Sequence, residues 1–118
     1  MSRITSVLLD RDRTVIVDKH YLADPAGVEL LPGAPEGVRA LAENGLSLFI
    51  VTNQSGIGRG YFSESEYNAC HVTLEALLAQ EKVTLKDSAF CPHDPEDNCA
   101  CRKPALGMWK FLSKRNGL

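Results

Sequence analysis

Two aspartates stand two residues apart, directly after an apolar stretch near the start of the chain. Val7, Leu8 and Leu9 precede Asp10, and Asp12 follows after one arginine. Residues i and i+2 of an extended segment point to the same side, so the two carboxylates converge. At the carboxyl end of a buried parallel strand, such a pair predicts a site for Mg²⁺ and phosphoryl transfer. Taken alone, the pair fits a solvated loop with incidental acids equally well.

A second polar segment follows the apolar stretch at residues 46–51. Thr52 opens a glycine-rich loop that we predict to run over residues 52–60. Its hydroxyl and the neighbouring backbone N–H groups suit the non-bridging oxygens of a phosphate, and glycine lets the backbone approach closely. The loop alone is weak evidence for phosphate binding, but its predicted position opposite Asp10 strengthens that interpretation.

Three of the four cysteines fall in one short stretch, and a histidine lies among them. Cys91, His93, Cys99 and Cys101 offer three thiolates and one imidazole, which is a tetrahedral Zn²⁺ set. Four protein ligands leave no open coordination position, so such a zinc is structural. The alternative is a reduced cysteine-rich loop without metal. The acidic residues around this cluster disfavour a zinc ribbon that binds nucleic acid. The fourth cysteine, Cys70, is expected to be a small buried hydrophobic residue.

Two cations follow the last candidate zinc ligand directly. Lys103 can neutralise a phosphoryl group as a point charge, and Arg102 can hold two oxygens with its planar fork. Zinc would fix where these side chains point, and Pro104 would stiffen the exit and begin the next helix. Two solvated cations in a loop are the alternative interpretation.

Apolar runs and helical patterns alternate along the chain. Strands are predicted at about residues 6–10, 46–51 and 87–91, and helices at about 35–45, 63–82 and 105–115, with an irregular segment at 14–29. Ser63 and Glu66 predict a capping box. The inward helix positions are expected to be Val38, Leu41, Ala42, Tyr67, Cys70, Leu74, Leu77, Leu78, Trp109 and Leu112. This order predicts a three-layer α/β fold with a parallel sheet, whose strand ends collect ligands at one edge.

Composition and charge narrow the functional class. The 118 residues are 44% hydrophobic and 24% charged, which suits one globular domain over residues 1–118. A net charge of −2 gives no electrostatic footprint for nucleic acid, and no basic cluster suggests a membrane surface. We see neither an apolar stretch that could span a bilayer nor a signal-peptide core, and therefore expect a cytoplasmic protein.

Together these motifs resemble those of the haloacid dehalogenase-like phosphatases, whose fold is a three-layer Rossmann-like parallel sheet. Within that group, the chain is similar to the family of D-glycero-D-manno-heptose 1,7-bisphosphate phosphatases and histidinol-phosphate phosphatases. The resemblance rests on residues 9–12, 51–62, 91–93 and 99–104. It implies a Mg²⁺-dependent phosphatase that removes the C7 phosphate of the heptose bisphosphate. Histidinol phosphate is the alternative substrate, and a catalytically impaired, zinc-stabilised fragment that only binds phosphorylated ligands is a further alternative.

The resemblance also implies a role for each matching residue. Asp10 would be the nucleophile that forms an aspartyl-phosphate, and Asp12 would protonate the departing sugar oxygen and then activate water. Asp10 and the backbone carbonyl of Asp12 would hold Mg²⁺. Thr52 and Lys103 would bind the transferring phosphoryl group. Substrate contacts are expected at Asp18, Lys19, His20, Tyr21, Asn53, Gln54, Ser55 and Arg102.

The sequence departs from the family pattern at two positions and at its C-terminal end. Arg13 stands where the family has a glycine, and Ile16 stands at a position where the resembled enzymes often have a polar residue. The family also continues with a strand that bears a Gly-Asp pair and a further aspartate for the Mg²⁺ site. We therefore expect a fold that is truncated at its C-terminus and lacks the last strands of the family core. Its exposed sheet edge would favour association or instability, whereas full-length members of the family are expected to be monomers.

Overall fold

The fold is built on a small parallel sheet with helices on both faces. A computed structural model describes residues 4–118. The strands, in the order in which they pair, are β1 (Ser6–Leu9), β2 (Ser47–Asn53) and β3 (Asp87–Cys91). The helices are α1 (Ala34–Glu43), α2 (Ser55–Gly58), α3 (Glu64–Gln80) and α4 (Gly107–Asn116), with short 3-10 turns at Pro25–Gly27 and Pro95–Asp97.

The central strand β2 is buried on both faces. Leu48 and Ile50 belong to an apolar cluster that includes residues of α1 and α3. Phe49 and Val51, which alternate with them, belong to a second cluster with residues of β3 and α4. Because successive side chains of a strand point to opposite faces, helices cover the sheet from both sides. The predicted three-layer α/β fold with a parallel sheet is confirmed.

Helix α3 begins with the predicted capping box. The Ser63 hydroxyl accepts a hydrogen bond from the backbone N–H of Glu66 at 3.0 Å, and the Glu66 carboxylate accepts one from the Ser63 backbone N–H at 2.8 Å. The buried residues of this helix are Tyr67, Cys70, Leu74 and Leu78, and Leu77 packs against them from a partly buried position. The buried side chains hold α3 against the sheet face that carries Leu48 and Ile50.

The segment at 14–29 is irregular, as expected, yet it supplies part of the core. Val15, Ile16, Leu22 and Val28 are buried in the cluster with α1 and α3. Ile16 is fully buried and forms isolated backbone bridges with Asp12 and Leu30. Burial therefore accounts for an apolar residue at position 16.

Two predicted boundaries were wrong. Strand β2 continues to Asn53 because Thr52 and Asn53 pair with the last residues of β3, and α2 replaces the loop predicted after it. Helix α4 begins at Gly107 rather than Ala105, since the Ala105 N–H is used in a turn that closes on the Arg102 carbonyl.

The inward face of α4 also differs from the prediction. Leu112 is fully buried as predicted, but Trp109 is 39% exposed and Met108 takes the other inward position. Positions 108 and 112 are four residues apart and share a helix face, whereas 109 lies to its side. Within residues 4–118, no helix is long and apolar enough to cross a bilayer.

Candidate active site

The carboxyl ends of the strands open into one cavity. Asp10 follows β1 directly, Thr52 lies near the end of β2, and Lys103 comes from the loop that follows the cysteine-rich segment. The residues that line this cavity are Asp10, Asp12, Arg13, Asp18, Thr52, Asn53, Ser55, Arg102 and Lys103. The fold thus brings all four residues predicted to be catalytic to the predicted edge of the sheet.

Lys103 is aimed at Asp10 by contacts on both its side chain and its backbone. Its Nζ lies 2.9 Å from Asp10 Oδ1 and donates to the Val51 carbonyl oxygen at 2.9 Å. Its backbone N–H donates to Asn53 Oδ1 at 2.9 Å, and Asn53 Nδ2 donates to the Lys103 carbonyl oxygen at 3.4 Å. Asn53 therefore lines the cavity and also fixes the segment that carries the cation.

The carboxylate of Asp12 is held by a hydrogen-bond network. Gln54 Nε2 donates to Asp12 Oδ2 at 3.0 Å and to Thr52 Oγ1 at 2.9 Å. Arg11 Nη2 lies 3.2 Å and 3.3 Å from the two carboxylate oxygens of Asp12. Since a hydroxyl can accept and donate at once, Thr52 keeps its own proton available for a ligand in the cavity.

A second cavity adjoins the first and contains most of the predicted substrate contacts. Its lining residues are Arg11, Asp12, Asp18, His20, Tyr21, Leu22, Asn53, Gln54, Ser55 and Gly56. Of the residues predicted to contact substrate, seven line one cavity or the other. Lys19 lines neither, and its Nζ lies 3.4 Å from Glu29 Oε1 on the surface.

Asp18 organises the turn between the two cavities. The His20 backbone N–H donates to Asp18 Oδ1 at 3.0 Å, and Arg13 Nε donates to Asp18 Oδ2 at 2.9 Å. These two donors hold the pKa of Asp18 below its ordinary value. The carboxylate stays charged and keeps His20 and Tyr21 at the cavity wall.

The predicted metal ligands converge on one point. The ligand atoms of Cys91, His93, Cys99 and Cys101 all lie within 4.8 Å of one another. His93 Nδ1 is 3.5 Å from Cys91 Sγ and 3.1 Å from Cys101 Sγ. Within residues 4–118, this is the only such group of three or more histidine, cysteine or acidic ligands. Three sulfurs and one imidazole nitrogen at these separations suit a tetrahedral metal ion.

The cysteine-rich loop packs closely against two helices. The Gly58 N–H at the end of α2 donates to the Pro92 carbonyl oxygen at 2.7 Å, and a Cβ on Gly58 would lie 2.6 Å from that oxygen. A Cβ on Gly107, the first residue of α4, would lie 2.7 Å from the Cys101 Cα. Only glycine permits these approaches, which set the position of the loop that carries Arg102 and Lys103.

One residue of the site was missed by the sequence analysis. In the sequence pattern Arg11 is only the spacer between Asp10 and Asp12, yet it is 2% exposed and the largest fully buried side chain in the described residues. Its guanidinium carbon lies 5.3 Å from the centre of the Tyr67 ring. An arginine between two acids at the end of an apolar run was the available signal.

The sequence of the chain is similar to those of known phosphatases, in agreement with the geometry of the cavity. The sequence profile of the polynucleotide kinase 3 phosphatase family matches residues 7–117. The chain belongs to this family. A relative from Thermoplasma volcanium, a probable D-glycero-D-manno-heptose-1,7-bisphosphate 7-phosphatase, is 36% identical over 104 residues that cover 88% of this chain and 71% of the relative. The 7-phosphatase of Escherichia coli K12 is 36% identical over 122 residues, which cover 98% of this chain and 63% of the enzyme.

Solved structures of two phosphatases have the same fold. The D,D-heptose 1,7-bisphosphate phosphatase of Bordetella bronchiseptica, complexed with magnesium and phosphate, superposes with a TM-score of 0.88 at 34% identity. A putative HAD-like phosphatase from Mesorhizobium loti superposes with a TM-score of 0.85, also at 34% identity. The matches cover 97% and 95% of this chain, but only 64% and 57% of those proteins. The resemblance to haloacid dehalogenase-like phosphatases is confirmed, and the chain spans less than two thirds of most relatives described here.

Proposed function

We propose that the protein is a phosphatase that removes the C7 phosphate of D-glycero-D-manno-heptose 1,7-bisphosphate. The observation that carries the proposal is the ion pair between Lys103 and Asp10, at 2.9 Å, in a cavity that Thr52 also lines. A carboxylate, an ammonium group and a hydroxyl that converge in this way suit a phosphoryl group in transfer. The relatives named as heptose bisphosphate phosphatases support the choice of substrate.

In the first step, Asp10 attacks phosphorus and the bond from phosphorus to the sugar oxygen breaks. Lys103 and the Thr52 hydroxyl balance the charge on the phosphoryl oxygens. Asp12 gives its proton to the departing sugar oxygen. In the second step, Asp12 takes a proton from the water that attacks the aspartyl-phosphate, which releases inorganic phosphate and restores Asp10.

The residues present also fit two metal ions. Asp10 is half exposed at the cavity, and its side chain with the Asp12 carbonyl would supply hard oxygen ligands for Mg²⁺. Mg²⁺ supplies charge neutralisation between the carboxylates and a dianionic phosphate when it is bound. Cys91, His93, Cys99 and Cys101 would hold a structural Zn²⁺, because four protein ligands leave no position for water.

A substrate panel tests this proposal. Phosphate release is measured with Mg²⁺ for heptose 1,7-bisphosphate, histidinol phosphate and an oligonucleotide with a 3′-phosphate. The oligonucleotide is included because the matching family is named for a polynucleotide kinase 3 phosphatase. We expect the highest kcat/KM for the bisphosphate, with heptose 1-phosphate as the product. Asp10→Asn should abolish turnover, while Lys110→Met, on the exposed side of α4, should retain it. A clear preference for either other substrate, or no release from the bisphosphate, contradicts the proposal.

A further inference from the structure

We propose that Arg11 is a positioning residue that fixes the Asp12 carboxylate for proton transfer. The proposal rests on the proposed function, since it gives Arg11 a part only in the two proton steps assigned to Asp12. Arg11 itself would not bind the transferring phosphoryl group, because its guanidinium is committed to the protein.

Burial separates Arg11 from the other cations of the site. Its side chain is 2% exposed, whereas that of Lys103 is 32% exposed and that of Arg13 is 78% exposed. Among residues 4–118, Arg11 Nε has no hydrogen-bond partner although it is buried. A buried charge with an unpaired donor is costly to the folded state. An apolar side chain of similar size would stabilise the folded state more, so packing alone does not explain an arginine at this position.

The contacts of Arg11 are directed at Asp12. Its Nη2 reaches both carboxylate oxygens, at 3.2 Å and 3.3 Å, which restricts rotation of the carboxyl group. Gln54 adds a second donor to Oδ2 at 3.0 Å. Asp12 remains 28% exposed and lines the cavity, so the carboxylate is restrained by these donors and is still accessible from the cavity. Proton transfer requires this kind of fixed approach.

The Arg11 backbone is held by hydrogen bonds, and its guanidinium is held by an aromatic ring. The Arg11 carbonyl accepts hydrogen bonds from the backbone N–H groups of Val15 and Ile16 at 2.9 Å and 3.1 Å, which closes the turn after the aspartates. The guanidinium lies over the face of Tyr67, a position that favours a cation. Helix α3 therefore supports the group that orients Asp12, although α3 contributes no residue to the cavity with Asp10 and Lys103.

Two substrates with different leaving groups distinguish this role from a purely structural one. A sugar alkoxide must be protonated as it departs, whereas p-nitrophenolate departs as a stable anion. If Arg11 acts through Asp12, Arg11→Met should lower kcat/KM for the heptose bisphosphate about 100-fold. The same variant should lower kcat/KM for p-nitrophenyl phosphate less than about tenfold, because that departure needs no proton.

Matched variants control for folding and for charge. Arg39→Met removes another arginine that pairs with a carboxylate, Glu81, on a helix away from both cavities, and should leave both substrates unaffected. Arg11→Lys keeps the charge and should fold even if Arg11→Met does not. We expect it to lose activity on the bisphosphate more than on the aryl phosphate, since a lysine cannot bridge both oxygens with the same geometry.

A double-mutant cycle supplies the decisive comparison. In an Asp12→Asn background, adding Arg11→Lys should cause no further loss on the bisphosphate, because the residue through which Arg11 acts is already gone. Equal losses on both substrates, or independent losses in the cycle, would overturn the proposal while leaving the phosphatase assignment intact. A wild-type protein that hydrolyses neither substrate would instead overturn the proposed function itself.

Discussion

Arg13 occupies the position at which the chain turns back from the two aspartates. Its φ is 69°, in the left-handed region that side chains with a Cβ rarely adopt. The resembled family has a glycine here, and the observed conformation gives the physical reason. The arginine is accommodated because its side chain is exposed and pairs with Asp18 at 2.9 Å.

The substitution Arg13→Gly should stabilise the protein. Relief of the left-handed strain outweighs the exposed ion pair, and we expect the free energy of unfolding to rise by up to about 1 kcal/mol. Urea denaturation measures the change. Lys110→Gly, at an exposed position within α4, is the control and should lower stability by about 1 kcal/mol. Destabilisation by Arg13→Gly would show that the Asp18 pair dominates at this turn.

Tyr67 carries a buried hydroxyl that has no hydrogen-bond partner among residues 4–118. Burial raises the pKa of Tyr67 to about 12, with Arg11 acting in the opposite direction. Because the folded pKa lies above the unfolded value of about 10, this group's contribution to stability is complete below pH 10 and is lost as the pH rises toward 12.

Tyr67→Phe keeps the ring and removes the unpaired hydroxyl. We expect a gain of about 1 kcal/mol in unfolding free energy at neutral pH. Between pH 10 and pH 12 the variant should also lack the part of the decline in stability that Tyr67 causes in the wild type. Tyr61→Phe, at an exposed tyrosine, should change neither quantity. Parallel declines for wild type and Tyr67→Phe would contradict the burial argument.

At the scale of elements, the sequence predicted each long helix and strand because each carries its own local signal. The capping box at Ser63 and the apolar run of β2 are examples. The errors lie where tertiary contacts decide. Pairing with β3 extends β2 through Asn53, and a turn on Arg102 delays the start of α4 to Gly107. Local propensity contains neither of these contacts.

The cysteine-rich loop is expected to hold zinc and thereby to orient Lys103. Purified protein should contain about one Zn²⁺ per chain, measured by mass spectrometry of the metal. Cys101→Ser should remove the ion, lower the melting temperature and reduce activity, because the loop that ends at Lys103 loses its anchor. Cys70→Ala is the matched control, since Cys70 lies on α3 outside the cluster and should keep a full complement of zinc. Retention of zinc by Cys101→Ser would contradict the proposed ligand set.

At the scale of the whole molecule, the site is assembled from segments that are distant in the chain. Asp10 follows β1, Thr52 belongs to β2, and Lys103 lies some fifty residues further on, bonded to Val51 and Asn53. The parallel topology allowed this meeting to be predicted, since strand ends share one edge of the sheet. The contribution of Arg11 could not be predicted in the same way, because it depends on packing against Tyr67 in α3.

The proposed reaction depends on the attack of Asp10 on the phosphate that Lys103 and Thr52 hold. The protein is mixed with heptose bisphosphate and Mg²⁺, quenched with acid, treated with borohydride to reduce any aspartyl-phosphate, and digested for peptide mass spectrometry. We expect conversion of Asp10, and of no other aspartate, to homoserine, with no conversion in Asp10→Asn. Steady turnover without modification of Asp10, or with modification of Asp12 in its place, would contradict it.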